Sequence, residues 1–132
     1  MIEHMVFKGT KNIRDRKYFF NEFDKFGAYI NATTEKRYTY YTIKTYQKYT
    51  FRCIRLLSDM LLNSIFDKTE YEKEREVVVE ENIKDEDDFE IKLFDHIEKI
   101  IYDKTPYSYP IDHITYHTKK NELQHEDVIE LY

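Results

Sequence analysis

The sequence predicts an α+β domain with two layers, in which an antiparallel β-hairpin packs against several long helices. Three observations predict this fold. Only 2 Gly and 2 Pro interrupt 132 residues, so the elements must be long. Residues 28–45 are rich in Thr, Tyr and Ile, a composition typical of strands. Beyond them, apolar residues recur at helical spacing.

Two helical segments are expected before the hairpin. Residues 1–7 have the pattern of a helix end that stops at Gly9. Residues 15–26 predict a second helix, because Asp15 is a suitable N-cap and Gly27 a suitable C-terminal stop. Both signals are local, so they place the boundaries of this helix without knowledge of the rest of the fold.

The hairpin is predicted from residues 28–34 and 37–45, with a two-residue turn between the strands. Four helices follow in the prediction, the last of which begins near Glu126. The other three are expected over residues 48–63, 68–86 and 89–102. Cys53, Leu57, Met60 and Leu61 form one apolar stripe on the first of these, so Cys53 is interpreted as a core residue. Asp67 can cap the second, and Leu93, Ile97, Ile100 and Ile101 share a face of the third.

The composition excludes several classes of function. The net charge of −5 argues against a general nucleic-acid or membrane-surface protein, since both need a basic face. No run of 18 apolar residues is present, so no membrane span is expected. A single cysteine rules out an internal disulfide. The sequence therefore predicts a soluble, cytoplasmic protein.

The opening segment, EHMVFKGTK, carries the most informative motif. It resembles the pitrilysin/insulinase family of zinc metallopeptidases, whose inverted zinc motif H-x-x-E-H continues as M-x-F-K-G-T. Here Glu3 and His4 match the last two positions, and the first His would lie immediately before Met1. Further pieces of the family pattern follow in order: Gly27, Asn31–Thr34, Thr39–Thr42, Leu57–Met60 and Glu72–Glu81.

The resemblance implies a zinc (Zn2+) metalloendopeptidase. Two His four residues apart share a helix face and can bind one zinc, and Glu3 between them would act as general base for zinc-bound water. His4 would be one ligand. A further ligand is expected from the pair Glu80-Glu81, where the family pattern favours Glu81. Glu74, two helical turns earlier, matches the acid that orients the site.

The resemblance also implies partners. Peptides would be the substrates, bound at a strand edge that carries Asn31 and Ala32. A C-terminal family domain or a partner subunit would complete the enzyme. Residues 1–132 are accordingly interpreted as a partial N-terminal peptidase domain, truncated at both ends and inactive alone.

Alternative interpretations remain open. The acids Glu72 to Glu81 as a group suit a solvated helix face. The chain is alternatively a non-catalytic relative that serves as a scaffold or partner subunit, or an unrelated acidic binding module. His113 and His117 are a weak metal pair, and His96 is expected on a polar surface. The run Tyr38–Tyr46 suits strand packing better than base stacking.

Overall fold

The computed structural model describes residues 1–111 and 124–132, and its architecture confirms the predicted α+β class. These residues form six α-helices and one hairpin. The helices are α1 (Ile2–Met5), α2 (Arg16–Asp24), α3 (Thr50–Leu62), α4 (Lys68–Glu86), α5 (Phe89–Ile101) and α6 (His125–Leu131). Strands β1 (Tyr29–Thr34) and β2 (Thr39–Lys44) pair antiparallel, with Tyr29 opposite Lys44 and Thr34 opposite Thr39.

Capping side chains place the helix starts where the sequence predicts them. Asp15 accepts a hydrogen bond from the Tyr18 N–H at the start of α2. Asp67 accepts from Thr69 N–H at the start of α4. Such caps satisfy N–H groups that have no partner within the helix. Gly27 follows α2 with φ of 58°, a left-handed conformation that glycine adopts at little cost.

The connection between the strands differs from the predicted two-residue turn. Four residues, 35–38, join β1 to β2, and the Glu35 N–H donates to the Tyr38 carbonyl at 2.8 Å. Two-residue hairpin turns need positive φ at their central positions, which Gly and Asn supply. The residues at the tip here are Lys36 and Arg37, so the longer connection is the unstrained solution.

The core joins the first and last helices to the middle of the chain. Its fully buried members come from every helix except α5, and Phe19 and Phe23 of α2 form an edge-to-face pair at 5.3 Å. The cluster consists of Met5, Val6, Phe19, Phe23, Met60, Phe66, Tyr71 and Val128. Cys53 is buried, as predicted, and it is a free thiol.

The predicted apolar face of α5 is exposed in the part of the chain that the structure describes. Ile100 and Ile101 are 66% and 67% exposed, and Leu93 and Ile97 are also open to solvent. Among the described residues, α5 contacts α4 and the short turn Pro106–Ser108, and its Glu98 forms an ion pair with Lys36 of the connection between the strands. No helix among them is long and apolar enough to cross a membrane.

A polar clamp fixes the segment after α1 against α3. Asp59 accepts hydrogen bonds from Thr10 Oγ1 at 2.6 Å, from Asn12 Nδ2 and from Asn63 Nδ2 at 2.8 Å. Gly9 precedes it with φ of 123°, and a Cβ there would lie 2.3 Å from the Arg14 carbonyl oxygen. Residue 9 must therefore be glycine for the chain to turn from α1 into this clamp.

We expect Asp59→Asn to destabilise the fold by about 1–3 kcal/mol at neutral pH, because an amide cannot accept all three donors. Burial raises the pKa of Asp59, but the hydrogen bonds from Thr10, Asn12 and Asn63 outweigh it and lower the pKa overall. A carboxyl group with a lowered folded pKa contributes stability above its unfolded pKa, and this contribution is lost as pH falls through the folded value. Urea unfolding of both proteins at neutral and acidic pH measures the effect.

The difference in unfolding free energy between wild type and Asp59→Asn should become smaller as the pH is lowered. Asp24→Asn, at an exposed position near the end of α2, is the matched control and should change stability little at either pH. Two results would contradict this prediction. One is an equal loss of unfolding free energy in both variants, and the other is a loss in Asp59→Asn that does not change with pH. Either would show that the charged form of Asp59 does not stabilise the fold.

Candidate functional site

Helix α1 holds the two motif residues at the edge of the core. Met5 and Val6 are 0% and 1% exposed, so they anchor this short helix in the core cluster. Glu3 and His4, immediately before them, are half-buried. A four-residue helix is too short to be stable alone. Its position is therefore set by the burial of its apolar neighbours.

His4 lies between two carboxylates of α4. Its Nδ1 is 3.1 Å from Glu74 Oε2, and its Nε2 is 3.5 Å from Glu81 Oε2. The two acids are seven residues apart on one continuous helix, which is two turns, so they share a face. The structure thus brings together three residues that the sequence singled out: His4, Glu74 and Glu81.

Glu74 also receives a lysine. Lys8 Nζ donates to Glu74 Oε1, so each carboxylate oxygen has its own partner. Both side chains are removed from water, with 5% of Lys8 and 12% of Glu74 exposed. Burial raises the pKa of Glu74, but the hydrogen bonds and charges of Lys8 and His4 outweigh it, and the pKa lies below its ordinary value. Glu74 is therefore a carboxylate at neutral pH.

Glu3 faces the hairpin. Its carboxylate accepts a hydrogen bond from the hydroxyl of Thr34, the last residue of β1. Burial and the charge of Glu3 raise the pKa of Tyr41 to about 12, with a smaller contribution from Tyr132. Tyr41 is thus a neutral phenol at neutral pH.

A cleft of about 270 Å³ opens between α1 and β1. Glu3, His4 and Glu74 line it together with Asn31 of β1. Ala32, the other predicted substrate-binding residue, is half-buried next to Asn31 and lies opposite Tyr41 in the hairpin. The same cleft is therefore bordered by Glu3, Glu74, His4 and strand β1.

The distance between His4 and Glu81 fits one metal ion. Zinc ligands of this kind lie about 2.0–2.2 Å from the ion in a tetrahedral arrangement, which separates two ligand atoms by roughly 3.4 Å. Their observed separation is 3.5 Å. No group of three or more His, Cys, Asp or Glu placed to hold a metal occurs within residues 1–111 and 124–132. The described part of the chain thus offers two ligand atoms at metal spacing.

The weaker candidates have separate outcomes. His113 and His117 are outside the described residues. His96 is exposed on α5, as the sequence predicts. Tyr38 and Tyr40 pack against each other near the start of β2, with ring centroids 6.0 Å apart.

The sequence did not predict a role for Lys8, although this residue is part of the F-K-G-T segment. The available signal was the spacing of His4 and Lys8, since residues four apart share a helix face. The partner of Lys8 is 66 residues away in the chain. Local pattern could therefore indicate the face of Lys8 but not its buried carboxylate. The hydrogen bond from Thr34 to Glu3 was missed for the same reason.

Comparison with known proteins agrees with the resemblance to the insulinase family. The sequence profile of the family described as Insulinase (Peptidase family M16) matches residues 1–113. The β subunit of the mitochondrial-processing peptidase from Saccharomyces cerevisiae is 32% identical over 105 residues, which is 80% of this chain and 22% of that protein. The uncharacterized zinc protease YmxG from Bacillus subtilis is 36% identical over 110 residues, or 83% of this chain and 27% of that protein.

A third similar protein is named as a subunit of a complex and not as a peptidase. Mitochondrial cytochrome b-c1 complex subunit 1 from Mus musculus is 31% identical over 111 residues, which is 84% of this chain and 23% of that protein. The chain thus spans about a quarter of the length of these relatives.

Proposed function

The chain belongs to the insulinase family of peptidases, and on this premise we propose that it forms part of the N-terminal domain of a zinc-dependent metalloendopeptidase. The observation that carries the proposal is the 3.5 Å separation of His4 Nε2 and Glu81 Oε2, which suits a shared zinc. Two of the similar proteins carry protease or peptidase in their names.

His4 and Glu81 would hold the metal, and the Glu81 side chain is 57% exposed, which leaves that side open to water and substrate. A bound zinc would supply Lewis acidity toward the peptide carbonyl and toward water. Glu74 supports the ligand role of His4, because a carboxylate that accepts from Nδ1–H leaves the Nε2 lone pair free.

Glu3 would act as the general base. Its carboxylate borders the same cleft as His4 and is held there by the Thr34 hydroxyl. A base in this position can accept a proton from the attacking water and deliver it to the leaving amine. It needs no contact with the metal, which separates its role from those of His4 and Glu81.

A peptide substrate would bind along β1. In the described residues β1 pairs only with β2, so an extended peptide can add as a further strand on its other edge. Asn31 borders the cleft with Glu3 and His4, and Ala32 follows it in the strand. This arrangement would bring a backbone carbonyl of the peptide to the proposed base and ligands.

The whole enzyme would need more than this chain. A C-terminal family domain or a partner subunit would supply further substrate contacts, since the chain spans about a quarter of the relatives. We propose that residues 1–132 alone cleave little. A cytoplasmic location also remains a prediction, and cell fractionation beside cytosolic and mitochondrial markers tests it.

We expect that one histidine added directly before Met1 will raise the zinc affinity of the chain. That residue would complete three protein ligands and leave one position for water, as in catalytic zinc sites. Isothermal titration with zinc measures the change, and a chain with alanine added at the same position is the control. Equal affinity and stoichiometry in the two chains would contradict the ligand assignment.

A second candidate function is a non-catalytic partner subunit. The similarity to cytochrome b-c1 complex subunit 1 favours it. The genomic sequence upstream of the Met1 codon discriminates the two candidates. An in-frame His codon there supports the peptidase, and a true translation start at Met1 supports the subunit.

A further inference from the structure

Lys8 is the most completely buried ammonium near the proposed site, and the peptidase mechanism above gives it no role. Only 5% of its side chain is exposed. It follows His4 by one helical turn and donates to Glu74 Oε1, while Glu74 Oε2 is 3.1 Å from His4 Nδ1. Lys8, Glu74 and His4 thus form a continuous chain of polar contacts that ends at the proposed zinc ligand.

The chain of contacts fixes the position of one proton. A carboxylate is only an acceptor, and Glu74 Oε2 is 3.1 Å from Nδ1 whereas Glu81 Oε2 is 3.5 Å from Nε2, so the shorter contact favours the proton on Nδ1. In neutral His4 the proton is then on Nδ1, and Nε2 presents its lone pair toward Glu81. This tautomer is the one that binds a metal through Nε2.

The arrangement depends on Glu74 staying charged and stationary. A buried carboxylate is costly unless it is paired and hydrogen-bonded. Lys8 provides the pairing charge and occupies Oε1, so the carboxylate can present only Oε2 to His4. Without the ammonium, Oε1 would have no donor and the side chain would turn toward water.

We propose that Lys8 is a positioning residue for the zinc site: by holding the Glu74 carboxylate, it sets His4 in the Nδ1–H tautomer that presents Nε2 to the metal. The inference rests on the proposed peptidase function. It can nevertheless be tested on the chain without metal, because the tautomer is a property of the protein alone.

The primary test is the tautomer of His4 in Lys8→Met, read from long-range ¹H–¹⁵N spectra at about pH 8, where an ordinary imidazole is neutral. Wild type should show His4 protonated on Nδ1. In Lys8→Met the Nδ1–H form should cease to be dominant. Lys8→Arg keeps the charge and should restore it. Finding the wild-type proton on Nε2, or no change in folded Lys8→Met, would overturn the proposal.

Two further variants separate positioning from stability. Loss of one partner of a buried pair destabilises a protein, so Lys8→Met/Glu74→Gln removes both charges together. This double variant should regain stability relative to Lys8→Met, and the Nδ1–H form should stay less dominant than in wild type, because an amide can either accept from or donate to Nδ1. A purely structural role of Lys8 would instead leave the tautomer unchanged in folded Lys8→Met, in which Glu74 is still present.

The matched control is Lys25→Met. Lys25 also pairs with a buried glutamate, Glu22, but that pair lies at the C-terminal end of α2 and does not include His4. Its removal should leave the His4 spectrum unchanged. A change as large as that of Lys8→Met would show that the His4 tautomer responds to any lost ion pair, which contradicts the proposal.

A zinc titration keeps this inference distinct from the proposed function. In the chain with histidine before Met1, Lys8→Met should weaken zinc binding by about 10 to 100-fold, the range typical of groups that orient a ligand. If the tautomer responds as expected but zinc does not bind at His4, the peptidase proposal fails, and only the control of the His4 tautomer by Lys8 stands. If zinc binds at His4 with equal affinity in both, the positioning role fails.

Discussion

Glu3→Gln is expected to abolish peptide cleavage and to leave zinc binding intact. The amide keeps the shape of the carboxylate and its contact with Thr34, but it cannot accept a proton from water. Loss of a general base lowers the rate by about 10² to 10⁴. The measurement is peptide hydrolysis beside zinc content, made on the chain with histidine before Met1 joined to a C-terminal family domain.

Glu35→Gln is the control for this experiment. Glu35 is exposed just after β1, and its side chain has no described contact with the site. Both cleavage and zinc content should be unchanged in it. Zinc loss in Glu3→Gln would instead identify Glu3 as a ligand and contradict its assignment as the base.

Glu81→Gln is expected to produce the largest loss of zinc affinity. Its carboxylate oxygen is 3.5 Å from His4 Nε2, and a neutral amide oxygen is a poorer ligand for zinc. The loss should exceed the 10 to 100-fold effect expected for Glu74→Gln, because Glu74 would only orient His4. Competition titration with a chromophoric chelator measures both affinities.

Glu80→Gln is the matched control, because Glu80 is the preceding acid of the same helix and is exposed. Consecutive helical residues point about 100° apart, so only one of the pair can face His4. Zinc affinity should be close to that of the parent in Glu80→Gln. The opposite order of effects would mean that the family pattern selects the wrong member of the pair.

Local signals account for the parts of the fold that the sequence predicted well. Asp15 and Asp67 mark helix starts through bonds to N–H groups two or three residues away. Gly27 marks a helix end through its own φ. Each of these depends on a few neighbouring residues, so each is visible in the sequence.

Contacts between distant residues account for what the sequence could not predict. The pairing of Lys8 with Glu74 joins two elements 66 residues apart, and Asp59 meets Thr10 across 49 residues. Neither pairing has a local pattern. Similarly, periodicity identified the apolar face of α5 but not what would cover it, and Ile101 is 67% exposed among the described residues.

In the candidate site, too, the sequence predicted some features and not others. Glu3, His4, Glu74 and Glu81 were found because they match an ordered family pattern. Their roles remain predictions, because no metal or substrate contact is described. The position of His4 between Glu74 and Glu81 adds a physical reason for the assignment that the pattern alone did not contain.

The most direct measurement is an anomalous difference map at the zinc absorption edge, from crystals of the chain with histidine before Met1 grown with zinc. The account predicts one peak about 2.0–2.2 Å from both His4 Nε2 and Glu81 Oε2. A peak bound by other side chains, or crystals with no anomalous signal beside His4, would contradict it.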